Sequence, residues 1–128
     1  MSTDAESREA PAPRPDLWVL PEIIRVEIER RQFAEPRAYY AGRRRIEVKE
    51  AVEIRVRTSD EIKARAITPS LFVGDVALPE FETIGPNQYR FFAYEPGSLR
   101  DGAPIALGWP GEPEPRKESR FRYEAPAG

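Results

Sequence analysis

Apolar and charged residues alternate along much of this chain with a period of two, and no other feature restricts its fold as much. Ile46, Val48, Val52, Ile54 and Val56 share one parity; Glu47, Lys49, Glu53, Arg55 and Arg57 share the other. Successive side chains of a β-strand point to opposite faces, so this run has one apolar and one charged face. Wound as a helix, the same residues would scatter their apolar groups around the axis, and their β-branched character also favours strand. Glu50 interrupts the apolar parity and Ala51 the charged one, which predicts a bulge or bend near Glu50. An earlier run repeats the pattern, with Ile24, Val26 and Ile28 against Arg25, Glu27 and Glu29.

Turn residues punctuate the chain beyond Arg57. Leu71-Phe-Val73, Gly74-Asp75 and Val76-Ala-Leu78 read as strand, turn or bulge, strand, with glycine supplying the positive φ. Glu80 to Ile84 continues extended to Gly85-Pro86-Asn87, a strong turn signal. Gln88 to Tyr94 is an aromatic strand with Tyr89, Phe91 and Ala93 on one face and Arg90, Phe92 and Tyr94 on the other. Pro96-Gly97 and Asp101-Gly102 bracket a loop, and Ala103 to Trp109 forms a last strand ended by Pro110. Thr58-Ser-Asp-Glu61 has the hydroxyl-to-Glu spacing of a capping box, which fits one helical turn or a tight loop. Some seven to eight short strands without a long helix predict an all-β, antiparallel β-sandwich. Residues 1–16 carry Pro11, Pro13 and Pro15 with little to bury and read as a disordered arm, which leaves the sandwich to residues 17–110. Residues 111–128 read as a Pro- and charge-rich tail. Within it Phe121 and Tyr123 alternate with Arg120, Arg122 and Glu124, as a short strand near 120–124 or a loose end.

The run Gly85-Pro-Asn-Gln-Tyr89, followed by Arg90, Phe91 and Phe92, resembles the turn that enters the sixth strand of immunoglobulin-like domains. In that family a tyrosine near the start of this strand bonds back to the backbone and pins the corner, so the resemblance implies that role for Tyr89. Phe72-Val-Gly-Asp-Val76 is similar to the transcription-factor-like subgroup of the same fold. The resemblance extends from Trp18 to Pro110 and implies architecture. This fold carries adhesion, recognition, capsid and accessory roles alike, so no function comes with it.

The missing side chains narrow the chemistry. Cys and His are both absent, which removes the common nucleophile–base pairs, any disulfide, and the preferred ligands of zinc, iron–sulfur and most copper sites. No cofactor is expected. A net charge of -2 gives the whole domain no electrostatic drive toward nucleic acid or an anionic membrane. Without an apolar leader or a span of the ~20 residues a membrane helix needs, a soluble cytoplasmic protein is the expectation. Carboxylates beside arginines read as a solvated ladder across strands, with a carboxylate-based, glycan-active enzyme as the alternative.

Three groups of residues remain as candidate sites. Asp60 and Glu61 fall in the second-to-third strand loop, and Glu95 and Asp101 in the sixth-to-seventh. Immunoglobulin-like topology would bring those loops to one pole, where four carboxylates suit calcium. Arg37, Tyr39, Tyr40, Arg43, Arg44 and Arg45 interleave guanidinium and aromatic groups, as single-stranded RNA or anion binding requires. Their other reading is a long first connection whose tyrosines cover an open end of the core. Glu95, Ser98, Arg100 and Asp101 form a loop suited to a partner. Together with the edge strands of a sandwich, that loop points to a non-enzymatic protein-interaction or accessory module whose partner is another protein.

Overall fold

A computed structural model of the 128-residue chain describes residues 20–62, 68–110 and 116–126. Within them the chain forms eight strands: β1 (Ile23–Ala41), β2 (Arg44–Thr58), β3 (Ser70–Val73), β4 (Val76–Leu78), β5 (Phe81–Gly85), β6 (Gln88–Ala93), β7 (Pro104–Gly108) and β8 (Arg116–Arg122). They make two antiparallel four-stranded sheets, one in the order β1-β2-β6-β5 and the other β4-β3-β7-β8. The described residues include no α-helix, only a single 3-10 turn at Pro96–Ser98. The expected N-terminal arm lies outside the described residues.

Alternation builds the core. Val52, Ile54 and Val56 of β2 are at most 4% exposed and meet Tyr89, Phe91 and Ala93 of β6, with Ile54 opposite Phe91. The second sheet contributes Leu71, Val73, Leu78, Ile105 and Leu107. Each aliphatic or phenyl side chain fully buried here stabilises the fold by roughly 1.5–3 kcal/mol. Turn chemistry sets the registers. Gly74, at φ +62°, opens the two-residue β3–β4 hairpin. Asn87, at φ +56°, follows Pro86 between β5 and β6, as a type II turn requires. In the second sheet a Cβ at Gly108 would stand 2.7 Å from the Phe72 ring, so only glycine fits under that ring.

The strands define two poles. At one, β2 ends beside the start of β6, with Arg57 opposite Gln88 and the Thr58 amide donating to the Asn87 carbonyl. At the other, β6 ends and β7 begins. Tyr89 is buried, and its hydroxyl accepts from the amide of Ile62 at 2.8 Å. It therefore ties β6 to the connection after β2, not to its own corner. Thr58 to Ile62 is a tight loop, in which the Thr58 hydroxyl donates to the Asp60 carbonyl.

Two segments differ from the sequence pattern. Residues 32–41 are strand, not a connection: β1 continues to Ala41 and pairs with β2 as far as Arg44. The irregularity anticipated near Glu50 lies on β1, where the register steps from Gln32↔Glu50 to Arg37↔Val48. The second sheet also runs past Pro110, because β8 spans Arg116–Arg122, pairs with β7, and is followed by the fully buried Tyr123.

Candidate interaction site

The β1–β2 hairpin projects beyond β6, which pairs with β2 only from Val52 to Arg57. Its tip is a two-residue loop, Gly42-Arg43, with Gly42 at φ +65° in the left-handed region. A glycine first in such a loop matches a type II′ turn, whose twist suits antiparallel strands. Beyond the step between Gln32 and Arg37, side chains of the arm reach over the outer face of the first sheet.

An aromatic clamp holds it there. Phe33 meets Phe92 edge-on at 5.7 Å, and Tyr39 stacks on Tyr94 at 5.3 Å with ring planes 9° apart. The Arg37 guanidinium sits 4.5 Å from the Phe33 centroid and 4.8 Å from that of Phe92, within cation–π range. Arg37 also comes within 3.8 Å of Glu82 on β5, which in turn binds Arg90. β2 and β6 lie between β1 and β5 in the sheet, so this contact passes over its outer face. Phe92 faces away from the main core yet is 2% exposed, because the arm covers it. The Tyr39 hydroxyl donates to Glu95 at 2.9 Å, and Tyr94 donates to Glu80. Burial first, and then these carboxylates, push both phenols above their ordinary value.

The interleaved Arg and Tyr residues thus divide between two tasks. Arg37 and Tyr39 are spent on the clamp and cover the outer face of a sheet, not an end of the core. Tyr40 is 69% exposed at the tip, opposite Arg45, with Arg43 and Arg44 exposed beside it. Arg45 pairs with Glu47.

The four carboxylates considered for calcium are not brought together. Asp60 and Glu61 follow β2 at the pole of Asn87, whereas Glu95 and Asp101 lie at the opposite pole, where β6 ends and β7 begins. The reason is strand direction: β2 and β6 are antiparallel neighbours, so the connection that leaves β6 lies at the pole opposite the one that leaves β2. Among the described residues, no group of three acidic side chains is arranged to hold a metal ion. Glu95 and Asp101 serve local structure instead, since Glu95 accepts from Tyr39 and the Asp101 carboxylate accepts from the Ala125 amide. Ser98 donates to the Glu95 carbonyl, and Arg100 is exposed.

Elsewhere on the outer face the carboxylates form the anticipated ladder. Arg55 bridges Glu27 and Glu29 of β1, and Arg90 binds Glu82. Glu53 is an exception to solvation. It is 2% exposed, and Arg31 donates to it at 2.6 Å.

The residue pattern alone does not single out the open side of β1. This 19-residue strand pairs with β2 along one edge, and its other edge has no strand beside it among the described residues. On that side β1 faces β8 across the gap between the sheets, and Val26, Ile28, Phe121 and Pro126 line a shallow cleft. Val26, Ile28 and Phe121 are only half-buried, and Ile24 is 46% exposed. The apolar parity of Val26 and Ile28 was visible in the sequence, and their incomplete burial follows from the position of β1 at the end of the sheet; Ile24, expected on the same face, instead falls at the register step between Ile23 and Arg25, and Ile23 takes the place in the core.

Comparison of the chain with protein-family models, curated proteins and solved structures gave no match. None of the described helices is long and apolar enough to cross a membrane.

Proposed function

We propose that this chain is a non-catalytic protein-interaction module of immunoglobulin-like topology that takes up a partner's extended segment along the open edge of β1. The order β1-β2-β6-β5 against β4-β3-β7-β8 corresponds to strands A-B-E-D against C′-C-F-G of that fold. On this correspondence Tyr89 stands on strand E, which accounts for its bond to the second connection. The observation that carries the functional reading is the edge itself, whose unpaired backbone runs beside the half-buried Val26, Ile28 and Phe121. Strand addition uses main-chain hydrogen bonds for affinity and side-chain alternation for specificity. An added strand would also cover this apolar cleft.

Selection from a random peptide library tests the reading. Enriched peptides should be extended and alternately apolar. Val26→Lys, which places a charge on the edge, should abolish their binding, and replacing Arg43, Arg44 and Arg45 together with Ala should not. Selection of peptides indifferent to Val26→Lys would overturn it.

The exposed Tyr40 beside Arg43 and Arg44 favours a second reading, in which the hairpin tip contacts single-stranded nucleic acid. Three arginines on three phosphates would give log K against log salt a slope of about −2. Titration of a labelled oligonucleotide should show that slope and lose it in the triple Ala variant. Binding that is indifferent to salt would exclude this mode.

A further inference from the structure

The open edge of β1 is self-complementary in one register, and we infer that its occupant is a second copy of this chain, paired antiparallel about a two-fold axis at Val26. The inference rests on the edge-binding reading and names its partner. Directly opposite residues of an antiparallel pair point to the same face, so a two-fold pairing must set some residue opposite itself. With Val26 at the axis, Arg25 faces Glu27 of the partner copy and Glu27 faces its Arg25, while Ile24 and Ile28 face each other twice. Moving the axis by one residue sets Arg25 opposite Arg25, or Glu27 opposite Glu27. Like charges directly opposite destabilise a strand pair, so these neighbouring registers are disfavoured.

The exposures fit the same axis. Ile24 falls at the register step between Ile23 and Arg25, has no residue opposite it on β2, and is 46% exposed. In the dimer it meets Ile28, which is half-buried at the same open edge. The side chains of Arg25 and Glu27 remain 65% and 43% exposed and pair within their own strand at 2.5 Å, so both are placed to exchange partners across the axis. Pairing would join two four-stranded sheets into one of eight strands, with the clefts under Val26, Ile28 and Phe121 side by side.

The chain has no cysteine, which makes disulfide trapping clean. Opposite Cα atoms lie about 4.5–5.5 Å apart, inside the disulfide range of about 4.4–6.8 Å. Under mild oxidation Val26→Cys should therefore form a covalent dimer in high yield. Ile24→Cys and Ile28→Cys should each form no disulfide-linked dimer alone and should cross-link when mixed. In sedimentation equilibrium the full chain should associate to a dimer, Arg25→Glu should dissociate it, and adding Glu27→Arg should restore it. Far-ultraviolet circular dichroism identifies any variant that fails to fold, and the cysteine series then decides. A monomer at all concentrations, or Val26→Cys cross-linking no better than Ile24→Cys, would overturn the dimer. If library peptides still bind in a Val26-dependent way, the edge reading survives that failure. Loss of both would remove the edge as a binding site.

Discussion

Ile54 and Arg55 are neighbours with opposite fates. Ile54 is 0% exposed against Phe91, whereas Arg55 reaches over the outer face to Glu27 and Glu29. Ile54→Ala should cost roughly 2–5 kcal/mol in urea unfolding, because it leaves a cavity between the sheets. Arg55→Ala should cost less than about 1 kcal/mol, since its pairs with Glu27 and Glu29 face solvent and the buried Glu53, 3.6 Å from Arg55 Nε, keeps Arg31. Equal costs would mean that the two faces of β2 are misassigned. Alternation legibly placed residues like these because each answers only to which side of the sheet it occupies. Phe92 shows where that logic stops. It shares a face with Arg90 and Tyr94, and its burial depends on the arm, which no property of Phe92 or its neighbours encodes.

Among the elements, β2 and β6 could be read from their periodicity, but the distal half of β1 could not. Phe33-Ala-Glu-Pro36 breaks the alternation and includes a proline, and Arg37-Ala-Tyr-Tyr40 has no period of two. What makes this stretch a strand is its pairing with β2 together with the clamp on Phe92 and Tyr94. β8 is a similar case: Arg116 to Ser119 has no apolar parity and takes its strand state from β7. Arg37→Ala should accordingly loosen the arm. The expected cost is about 1–2 kcal/mol, near the upper range of a desolvated cation–π contact, with faster amide exchange in β1 beyond Gln32. Alkali should act on the same clamp. Tyr39 and Tyr94 ionise above the ordinary phenol value of 10.0, owing first to burial and then to Glu95 and Glu80, although Arg37 offsets part of the shift at Tyr94. Phenols raised in the folded state stabilise it in full below the unfolded value. That contribution is lost as pH rises through about 10 toward the folded values. The urea midpoint should hold up to about pH 10 and fall above it, in step with tyrosinate absorbance. A midpoint that rises above that pH would contradict the clamp.

As a whole, the described residues form a sandwich closed at one side and open at the other. Where β4 passes through Pro79 and Glu80 into β5, the chain itself joins the two sheets. On the opposite side, among the described residues, β1 and β8 face each other without a connecting segment. β8 belongs to this architecture, because the Tyr123 amide donates to the Ala103 carbonyl and its side chain fills the core. Removing residues 111–128 should therefore abolish cooperative unfolding, whereas a fully folded product would place β8 outside the sandwich. The proposed recognition surface is the open flank of β1. Amide hydrogen exchange, with and without a library-selected peptide, tests it most directly. Slowed exchange should be confined to Ile23–Gln32 and the facing part of β8. Slowing at the hairpin tip or in the β6–β7 loop, with β1 unchanged, would contradict it.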